Sequence, residues 1–475
     1  MRDVRGAAVE TPWPGLSRRH ALGLLAAALP IGDAGAASTA GEGVDVTAHG
    51  ADPTGQRDSS EAFRKALAQS PKIRVPAGIY LLGNVELSSG ASITGAGESS
   101  VLKQHPQARF AVLADSGSPR LSSNLRAIRL SNLQLRGSCD SDGFSEFVHL
   151  VSLNGVSDVV VDNVLFRGFR GDGLYIGSGN IGGQERHNTQ VTLRNCVFDG
   201  INHQNRNGVS VIDCDGLVIE DCRFINTTKA DMPGAIDLEP DGESFHVVRN
   251  AHIARNTFIG VGGHGGAIAI YIPRGVLTKP TGILIENNTI DDALTNAFSF
   301  EQPAGMRGPA ADTTQLVFRG NRIHRCAARP FRLRGVEGAV LSDNLFADTL
   351  QDAQIGFDRP EDDVHDVTLR DNVFERCGSH EDAGLQVFSA SDVRFERNSW
   401  LDCGNGARDS SAVRFASGSS QRVRFAGNTF ASATHRTAHA VSAAPGRRFD
   451  AGGNVFAPDN QLKDGLTNAF DRPDS

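Results

Sequence analysis

Two carboxylates in one short apolar segment give the first indication of chemistry. Gly234-Ala235-Ile236-Asp237-Leu238-Glu239 alternates like a β-strand, which puts Asp237 and Glu239 on the same face. Glu301 ends a similar segment further along the chain. Carboxyl groups ~6.5–9.5 Å apart suit inverting glycoside hydrolysis, in which one protonates the leaving oxygen and the other activates water. We therefore predict Asp237, Glu239 and Glu301 as acid/base residues.

Neighbouring alternating segments carry polar side chains that could bind a sugar polymer. Arg332 and Arg334 can hold carboxylates through two-point hydrogen bonds. Tyr271 and Tyr175 can pack against sugar rings. His264, between two glycines, can carry a proton, so we include it among the catalytic candidates. The remaining substrate-binding candidates precede glycines in two other segments: Asp172 and Asn207.

Charge is unevenly distributed along the chain. Six arginines and no acidic residue lie between Leu316 and Val336, although the formal net charge is −8. This predicts a basic patch that a uronic acid polymer, or sulfate or phosphate groups, would satisfy. The net acidity argues against a general nucleic-acid binder. One alternative is that Arg319, Arg322 and Arg325 simply face solvent. Another is that the candidate carboxylates only form a salt network with Arg332 and Arg334.

A repeated sequence pattern predicts the scaffold that positions these candidate residues. A pattern of an apolar residue, then Asn or Cys, then an aromatic or apolar residue recurs in twelve copies between residues 133 and 454, about 29 residues apart. In the first two copies Leu133 and Val164 occupy the Asn position. The copies alternate as strands do and show no helical period. We predict an all-β, single-stranded right-handed parallel β-helix of about twelve coils. Its asparagines should stack in a ladder at a corner, and its phenylalanines should stack inside.

The seven cysteines fit the same frame. Cys196 and Cys222 occupy the Asn position of successive copies, and Cys377 and Cys403 both lie three residues after the aromatic position. We favour stacked apolar thiols, and a disulfide between neighbouring coils is the alternative. The sequence contains no motif for a cofactor or a structural metal. Two acidic segments that could hold calcium are better explained as turns: Asp140–Gly143 and Glu361–Asp363.

The segment before the repeats predicts a cap. Asp58-Ser59-Ser60-Glu61-Ala62-Phe63 has the features of a helix start, and a short helix there would cover the open end of the first coil. The phrases HGADPTG, DSSEAFRKAL and VPAGIY resemble the start of pectate-lyase-superfamily proteins, which include polygalacturonases, rhamnogalacturonases and epimerase-like β-helices. The resemblance covers residues 44–457 and implies a right-handed β-helix that acts on polysaccharide.

The order of the polar segments also resembles polygalacturonases in part. Gly234–Asp237 matches part of their Asn-Thr-Asp-Gly-Ile-Asp segment, and Arg332-Leu333-Arg334 matches their Arg-Ile-Lys. The resemblance therefore implies roles for Asp237 and the arginine pair. This chain has Gly265-Gly266 where that family has two aspartates, and Thr295-Asn296 where it has Gly-His-Gly.

The N-terminus resembles an export signal. Ser17-Arg18-Arg19-His20 precedes an apolar run over residues 21–31, and Ala34-Gly35-Ala36 fits a signal-peptidase site. We predict a twin-arginine-type signal peptide over residues 1–36, export by the twin-arginine machinery, and a periplasmic or secreted mature protein without a membrane span.

These observations predict a domain order and a function. A cap and first coils over residues 44–100 precede the β-helix over 101–457 and a tail over 458–475. The leading prediction is an exported enzyme that hydrolyses an acidic polysaccharide without a cofactor. One alternative is a lyase or C5-epimerase, in which Tyr271 or His264 removes the proton next to a uronate. Another is a non-catalytic glycan-binding or surface protein on the same scaffold.

Overall fold

Each coil of the protein consists of three short parallel strands joined at three corners. A computed structural model describes residues 43–117, 123–179, 185–304, 314–357, 363–416, 420–434, 436–443 and 449–456. In one coil the strands are Gly234–Leu238, Val248–Ala254 and Thr257–Ile259, and the next coil begins at Gly266. The predicted signal peptide and C-terminal tail lie outside the described residues. The β-helix predicted from the repeats is confirmed.

The described strands form two parallel sheets. The first, which we call the front sheet, has 13 strands and so marks thirteen coils, close to the twelve predicted. Its strands are Val85–Glu86, Val112–Asp115, Val151–Asn154, Leu174–Ile176, Val209–Val211, Gly234–Leu238, Gly266–Tyr271, Phe298–Glu301, Arg332–Arg334, Ala353–Ile355, Ala383–Val387, Ser411–Phe415 and His439–Ser442.

The second sheet, which we call the wrap sheet, has 28 strands and bends around a corner to form the other two sides of the coils. Its strands are Val44–Asp45, Thr54–Asp58, Lys72–Val75, Gly78–Leu82, Ser92–Gly95, Ser100–Gln104, Leu125–Arg136, Val156–Arg167, Asn188–Arg194, Val197–Asp199, Cys214–Glu220, Arg223–Ile225, Val248–Ala254, Thr257–Ile259, Ile283–Glu286, Thr289–Asp291, Leu316–Arg319, Arg322–His324, Glu337–Ser342, Leu345–Ala347, Val364–Arg370, Val373–Glu375, Ala390–Glu396, Ser399–Leu401, Arg424–Ala426, Thr429–Ala431, Asp450–Gly452 and Val455–Phe456.

The predicted asparagine ladder lies at the bend of the wrap sheet. The Asn288 side chain donates to the carbonyl of Ile253 in the preceding coil and to Oδ1 of Asn321 in the next, both at 3.0 Å. The backbone N–H of Asn288 donates to the same Oδ1 at 2.9 Å. The ladder therefore satisfies buried corner groups with identical neighbours. Its members are Asn256, Asn288, Asn321, Asn344, Asn372, Asn398, Asn428 and Asn454.

The interior is a column of stacked aromatic rings, as predicted. The rings of Phe198 and Phe224 lie 4.8 Å apart and nearly parallel, and Phe224 stacks on Phe258 in the same way. Because each coil covers the apolar face of its neighbour, the stack gives one continuous dry core. All seven cysteines are buried free thiols, so the thiol interpretation holds and no disulfide links the coils.

Two helices and one 3-10 turn accompany the strands in the described residues. The 3-10 turn Val46–His49 and the helix Ser60–Gln69 precede the first complete coil, and the short helix Cys139–Asp142 lies in a later loop. Phe63 of the first helix is buried against Tyr80, with ring centroids 5.9 Å apart. In the described part of the chain, no helix combines the length and apolar character that crossing a bilayer requires.

Candidate functional site

The outer face of the front sheet brings the predicted site residues into two adjacent columns. In the first, the strand register aligns Tyr175 with Ser210, Ser210 with Asp237, and, two coils on, Ser299 with Arg332. In the second, Tyr271 pairs with Glu301 and Glu301 with Arg334. Because the coils are parallel and in register, residues 27 to 35 positions apart become neighbours on one face.

Long loops between the strands deepen this face into a cleft of about 750 Å³, which we call the central cleft. Its floor includes residues of the second column, and loop residues such as Pro240, Pro273 and Pro303 form its walls. The residues of the central cleft that can do chemistry are Glu239, Asp241, His264, Tyr271, Arg274, Glu301 and Arg332.

Asp237 and Glu239 form a carboxyl dyad at one end of the cleft. Asp237 is 1% exposed, whereas the Glu239 side chain is 38% exposed and lines the cleft. Burial, together with the neighbouring Glu239 carboxylate, raises the pKa of Asp237 well above the usual aspartate value. Burial also raises the pKa of Glu239, although Arg206 opposes that shift. The pair therefore holds a proton more readily than two separate, exposed carboxylates would.

Arg206 holds the dyad in place and was missed by the sequence analysis. Its guanidinium nitrogens lie 3.7 Å from Asp237 Oδ2 and 3.9 Å from Glu239 Oε2. The same group lies 3.3 Å from Asp172 and donates to the Ser210 hydroxyl at 2.8 Å. One signal could have found it, since extending the alternation of the strand backwards from Ser210 puts Arg206 on the outer face.

The structure places Asp172 and Asn207 beneath this cluster rather than in the cleft. Both are fully buried. Asn207 donates to Asp237 Oδ2 at 3.0 Å, and its backbone N–H donates to Asp172 at 3.1 Å. Although burial opposes ionisation of Asp172, His149 and Arg206 hold its pKa below the usual value. These two residues, predicted to contact substrate, here support the residues that face the cleft.

A tyrosine occupies the middle of the central cleft. Tyr271 Oη lies 3.3 Å from His264 Nδ1 and accepts a hydrogen bond from Arg332 at 3.1 Å. Burial is the main reason that the pKa of Tyr271 rises to about 12, with Arg332 opposing the shift and Glu301 adding to it. Glu301 forms ion pairs with Arg332 and with Arg334. The phenol is therefore a neutral proton donor between a histidine and an arginine.

The predicted basic patch is largely neutralised in the folded chain. Arg319 pairs with Glu286 at 2.7 Å, and Arg325 pairs with Asp291 at 2.6 Å. Arg329 pairs with Asp352. Each acidic partner lies in an adjacent coil. A count of charges between residues 316 and 336 therefore does not include these acids. The salt network, which the sequence analysis kept as an alternative, is thus present around Glu301.

A second cleft of about 320 Å³ lies on the same face towards the N-terminus and shares Asp241 with the central cleft. Of the aromatic side chains that line this second cleft, only Tyr175 was predicted from the sequence. The His149 ring stacks on Tyr175 with centroids 4.9 Å apart, and on Phe110 at 6.1 Å. The residues of the second cleft are Arg109, Phe110, Glu146, Phe147, His149, Ser152, Asn154, Tyr175, Arg206, Ile212 and Asp241.

The described residues contain no group of three or more His, Cys, Asp or Glu side chains arranged to hold a metal ion. Of the two acidic segments considered for calcium, Asp140–Gly143 lies at the short helix, where Ser138 donates to Asp142 at 2.7 Å. Residues 361 and 362 of the other segment lie outside the described part of the chain.

Comparisons with known proteins agree with this architecture. A curated relative, the uncharacterized protein YclG of Bacillus subtilis (strain 168), is 26% identical over 263 residues. That match covers 52% of this chain and 40% of the relative, so it spans less than half of the relative's length.

Three solved structures share the fold. The A-module of the mannuronan C-5 epimerase AlgE6 from Azotobacter vinelandii is 13% identical with a TM-score of 0.53, over 88% of this chain and 100% of that one. Tailspike protein 3 of bacteriophage CBA120 is 14% identical with a TM-score of 0.56, over 88% and 62%. The surface adhesin PfbA of Streptococcus pneumoniae is 14% identical with a TM-score of 0.50, over 87% and 99%. At these identities the likeness concerns the fold alone.

A family model described as a right handed beta helix region matches residues 149–351 and 275–449. These matches cover more than half of the chain and include the front-sheet strands that carry Asp237, Tyr271, Glu301 and Arg332. The chain therefore belongs to the right handed beta helix region family.

Proposed function

We propose that the protein is a carbohydrate-active enzyme that hydrolyses an acidic polysaccharide in the central cleft. The observation that carries this proposal is that Glu239 and Glu301 line the same cleft in different surroundings. The two residues are two coils apart. Two coils correspond to about 10 Å of backbone separation, just above the ~6.5–9.5 Å that separates the carboxyl groups of inverting hydrolases. Burial raises the pKa of Glu239, whereas Glu301 is a carboxylate in two ion pairs. Such a division of environments suits an acid and a base.

The reaction follows from these environments. Glu239 donates the proton of the dyad to the glycosidic oxygen as the bond from that oxygen to the anomeric carbon breaks. Glu301 takes a proton from a water molecule that attacks the anomeric carbon from the opposite face, which balances the transfer. Asp237 is buried behind Glu239 and does not contact the substrate in this scheme. Arg332, beside Tyr271, supports the choice of an acidic sugar because its fork can bind a carboxylate.

A second reaction, proton abstraction next to a uronate carboxylate, is favoured by the contacts of Tyr271. His264 would remove the proton, and Arg332 would bind the carboxylate. In a lyase, the electrons of the broken C–H bond form a double bond while Tyr271 protonates the departing oxygen. In an epimerase, the carbanion takes a proton from solvent on the opposite face of the ring, because Tyr271 lies on the same side as His264. One structure that shares the fold is a mannuronan epimerase, and this precedent supports the alternative.

One experiment separates these reactions. The purified protein is incubated with a panel of uronate polymers in deuterated buffer, and the products are assayed for reducing ends, ultraviolet absorbance and incorporated deuterium. Hydrolysis gives reducing ends without absorbance, a lyase gives both, and an epimerase gives deuterium alone. Absence of all three signals on every polymer would contradict the enzymatic proposal and leave a non-catalytic role. A surface adhesin is among the proteins that share this fold.

We also propose export through the twin-arginine pathway to the periplasm or beyond. The proposal rests on the residues described above for segment 1–36. Fractionation of cells that express the full chain tests it, with Arg18→Lys combined with Arg19→Lys as the altered signal. Retention of the variant in the cytoplasm supports the pathway, and unchanged export of the variant contradicts it.

A further inference from the structure

The second cleft is a concave surface next to the proposed reaction centre that the hydrolytic scheme leaves unused. It shares Asp241 with the central cleft, and Arg206 lines it while contacting Asp237 and Glu239 from the other side. A polymer that lies in the central cleft and continues towards the N-terminal coils therefore enters the second cleft directly.

Aromatic rings dominate this cleft. The ring of Tyr175 has His149 stacked on one face, at 4.9 Å and 9°. In the strand register the neighbour of Tyr175 in the next coil is Ser210, and Tyr175 is partly exposed and lines the cleft. Phe147, which also lines the cleft, is 61% exposed. Exposed aromatic surface beside a cleft is a common means of binding an apolar ring face.

The floor of the cleft is kept flat by a glycine. A Cβ atom on Gly177 would lie 2.5 Å from Cε1 of Tyr175 and 2.1 Å from Oδ1 of Asn154. Glycine at this position thus allows the tyrosine ring and the asparagine amide to lie side by side. The Asn154 amide donates to the Ser152 hydroxyl at 3.0 Å, which places polar groups next to the aromatic surface.

The charges in the second cleft leave little attraction for an anion. Arg206 already contacts three carboxylates, those of Asp172, Asp237 and Glu239. Glu146 and Asp241 line the cleft with Arg109, whose guanidinium lies 5.5 Å from the Phe110 ring centroid. Burial is the main reason that the pKa of Tyr175 rises to about 12, so its phenol is a neutral hydrogen-bond donor.

We propose that the second cleft is a subsite for an uncharged pyranose ring, and that the polymer is a heteropolysaccharide in which such a sugar adjoins the acidic one. The C–H face of the ring packs on Tyr175 and Phe147, and its hydroxyls reach Asn154 and the carboxylates at the rim. This inference rests on the proposed function in one respect, namely that the polysaccharide bound in the central cleft extends into the second cleft.

The test measures binding separately from turnover. An array of neutral, purely uronate and mixed oligosaccharides is probed with the wild-type protein, and the Kd of each bound glycan is measured by calorimetry. Phe147→Ala, at an exposed position, should weaken binding of mixed oligosaccharides about three- to tenfold and leave purely uronate oligosaccharides unaffected. Val373→Ala, at an apolar position on the wrap sheet that is 38% exposed, is the control and should change neither.

The outcomes distinguish this subsite from the proposed reaction. Glu239→Gln should retain the Kd of the wild type for mixed oligosaccharides even where turnover is lost. If Glu239→Gln keeps full activity while Phe147→Ala loses affinity, the hydrolytic assignment fails and the subsite stands. Equal affinity of the wild type and Phe147→Ala for mixed oligosaccharides would overturn the subsite. Binding confined to purely uronate glycans, or binding of no glycan, would also overturn it.

Discussion

The asparagine corner and the outer face of the front sheet solve the same problem of polar groups on stacked coils in different ways. At the corner eight successive coils, from Asn256 to Asn454, present the same residue, and each amide bonds its copy in the next coil at 2.8–3.2 Å. On the front sheet successive coils present Tyr271, Glu301 and Arg334, which are all different. Where identical residues stack, the solenoid is being stabilised. Where unlike residues lie side by side and line a cleft, the solenoid carries a candidate functional site.

The largest expected effect is on the front sheet. Glu239→Gln should lower turnover of a hydrolysed polymer about a hundred- to ten-thousandfold, because the amide cannot donate a carboxyl proton to the leaving oxygen. The urea midpoint of unfolding should stay close to that of the wild type, since the side chain is partly exposed and near-isosteric. Initial rates and denaturation curves measured on the same preparation check this. Activity within threefold of the wild type would remove Glu239 from the mechanism.

At the corner the expected effect is on stability. Asn321→Ala removes the acceptor of the Asn288 backbone N–H and a donor to the Ile285 carbonyl. Leaving such buried groups without partners should lower the free energy of unfolding by about 2–4 kcal/mol, as measured by denaturant unfolding. Asn405→Ala, at an exposed turn, is the control and should cost less than about 1 kcal/mol. Equal losses in both variants would show that the ladder is not a special source of stability.

A third, smaller effect depends on pH. Because the folded chain raises the pKa of Asp237, the wild type loses stability as the pH rises from about 4 through the raised value. Asp237→Asn cannot ionise, so its stability relative to the wild type should increase over that range. The gain should be about 1.4 kcal/mol for each unit by which the pKa is raised. Unfolding midpoints measured from pH 4 to pH 8 test this.

Asp392 provides a control of opposite sign. Its hydrogen bonds with Arg422 are the main reason that its pKa lies below the usual value. The wild type therefore gains stability above the ordinary aspartate pKa and loses it as the pH falls through the lowered value. Asp392→Asn should accordingly become less stable than the wild type as the pH rises from the lowered value to about 4, a change that unfolding midpoints measured from about pH 2 to pH 5 would show. If both variants shifted in the same direction, the contrast between the cleft and the exposed surface would be refuted.

The smallest effect is expected for the exposed ion pairs of the wrap sheet. Arg394 pairs with Asp366 at 2.8 Å, and both side chains are largely exposed. Arg394→Ala should change the free energy of unfolding by less than about 1 kcal/mol, and the change should shrink further in high salt. A loss of unfolding free energy as large as that of Asn321→Ala would show that the exposed ion pairs stabilise the fold as much as the asparagine ladder does.

The repeating parts of this fold were predictable, whereas the irregular parts were not. Asn288 and Phe224 recur at fixed spacing, so their stacking partners could be inferred from the sequence alone. Arg206 has no counterpart at that spacing, and it contacts Asp172 and Glu239 only because the coils stack. For the same reason the acids that neutralise Arg319 and Arg325 could not be identified before the strand register was known.

The roles of individual candidates show the same limit. Alternation was enough to put Tyr271 and Glu301 on one face, but it could not give the depth of a side chain beneath its neighbours. Asp172 and Asn207 are therefore found under the cleft. The aromatic wall of the second cleft includes Phe147 and His149, which precede the strand Val151–Asn154 and lie outside any alternating pattern.

The seven unlinked thiols have a consequence for how the chain matures. Backbone pairing and stacked rings hold the coils together, with the amide ladder added from Asn256 onwards, and no cross-link has to form between sulfur atoms. The protein can thus complete its shape in a reducing compartment and retain it in an oxidising one, with no need of an oxidase or an isomerase at either stage.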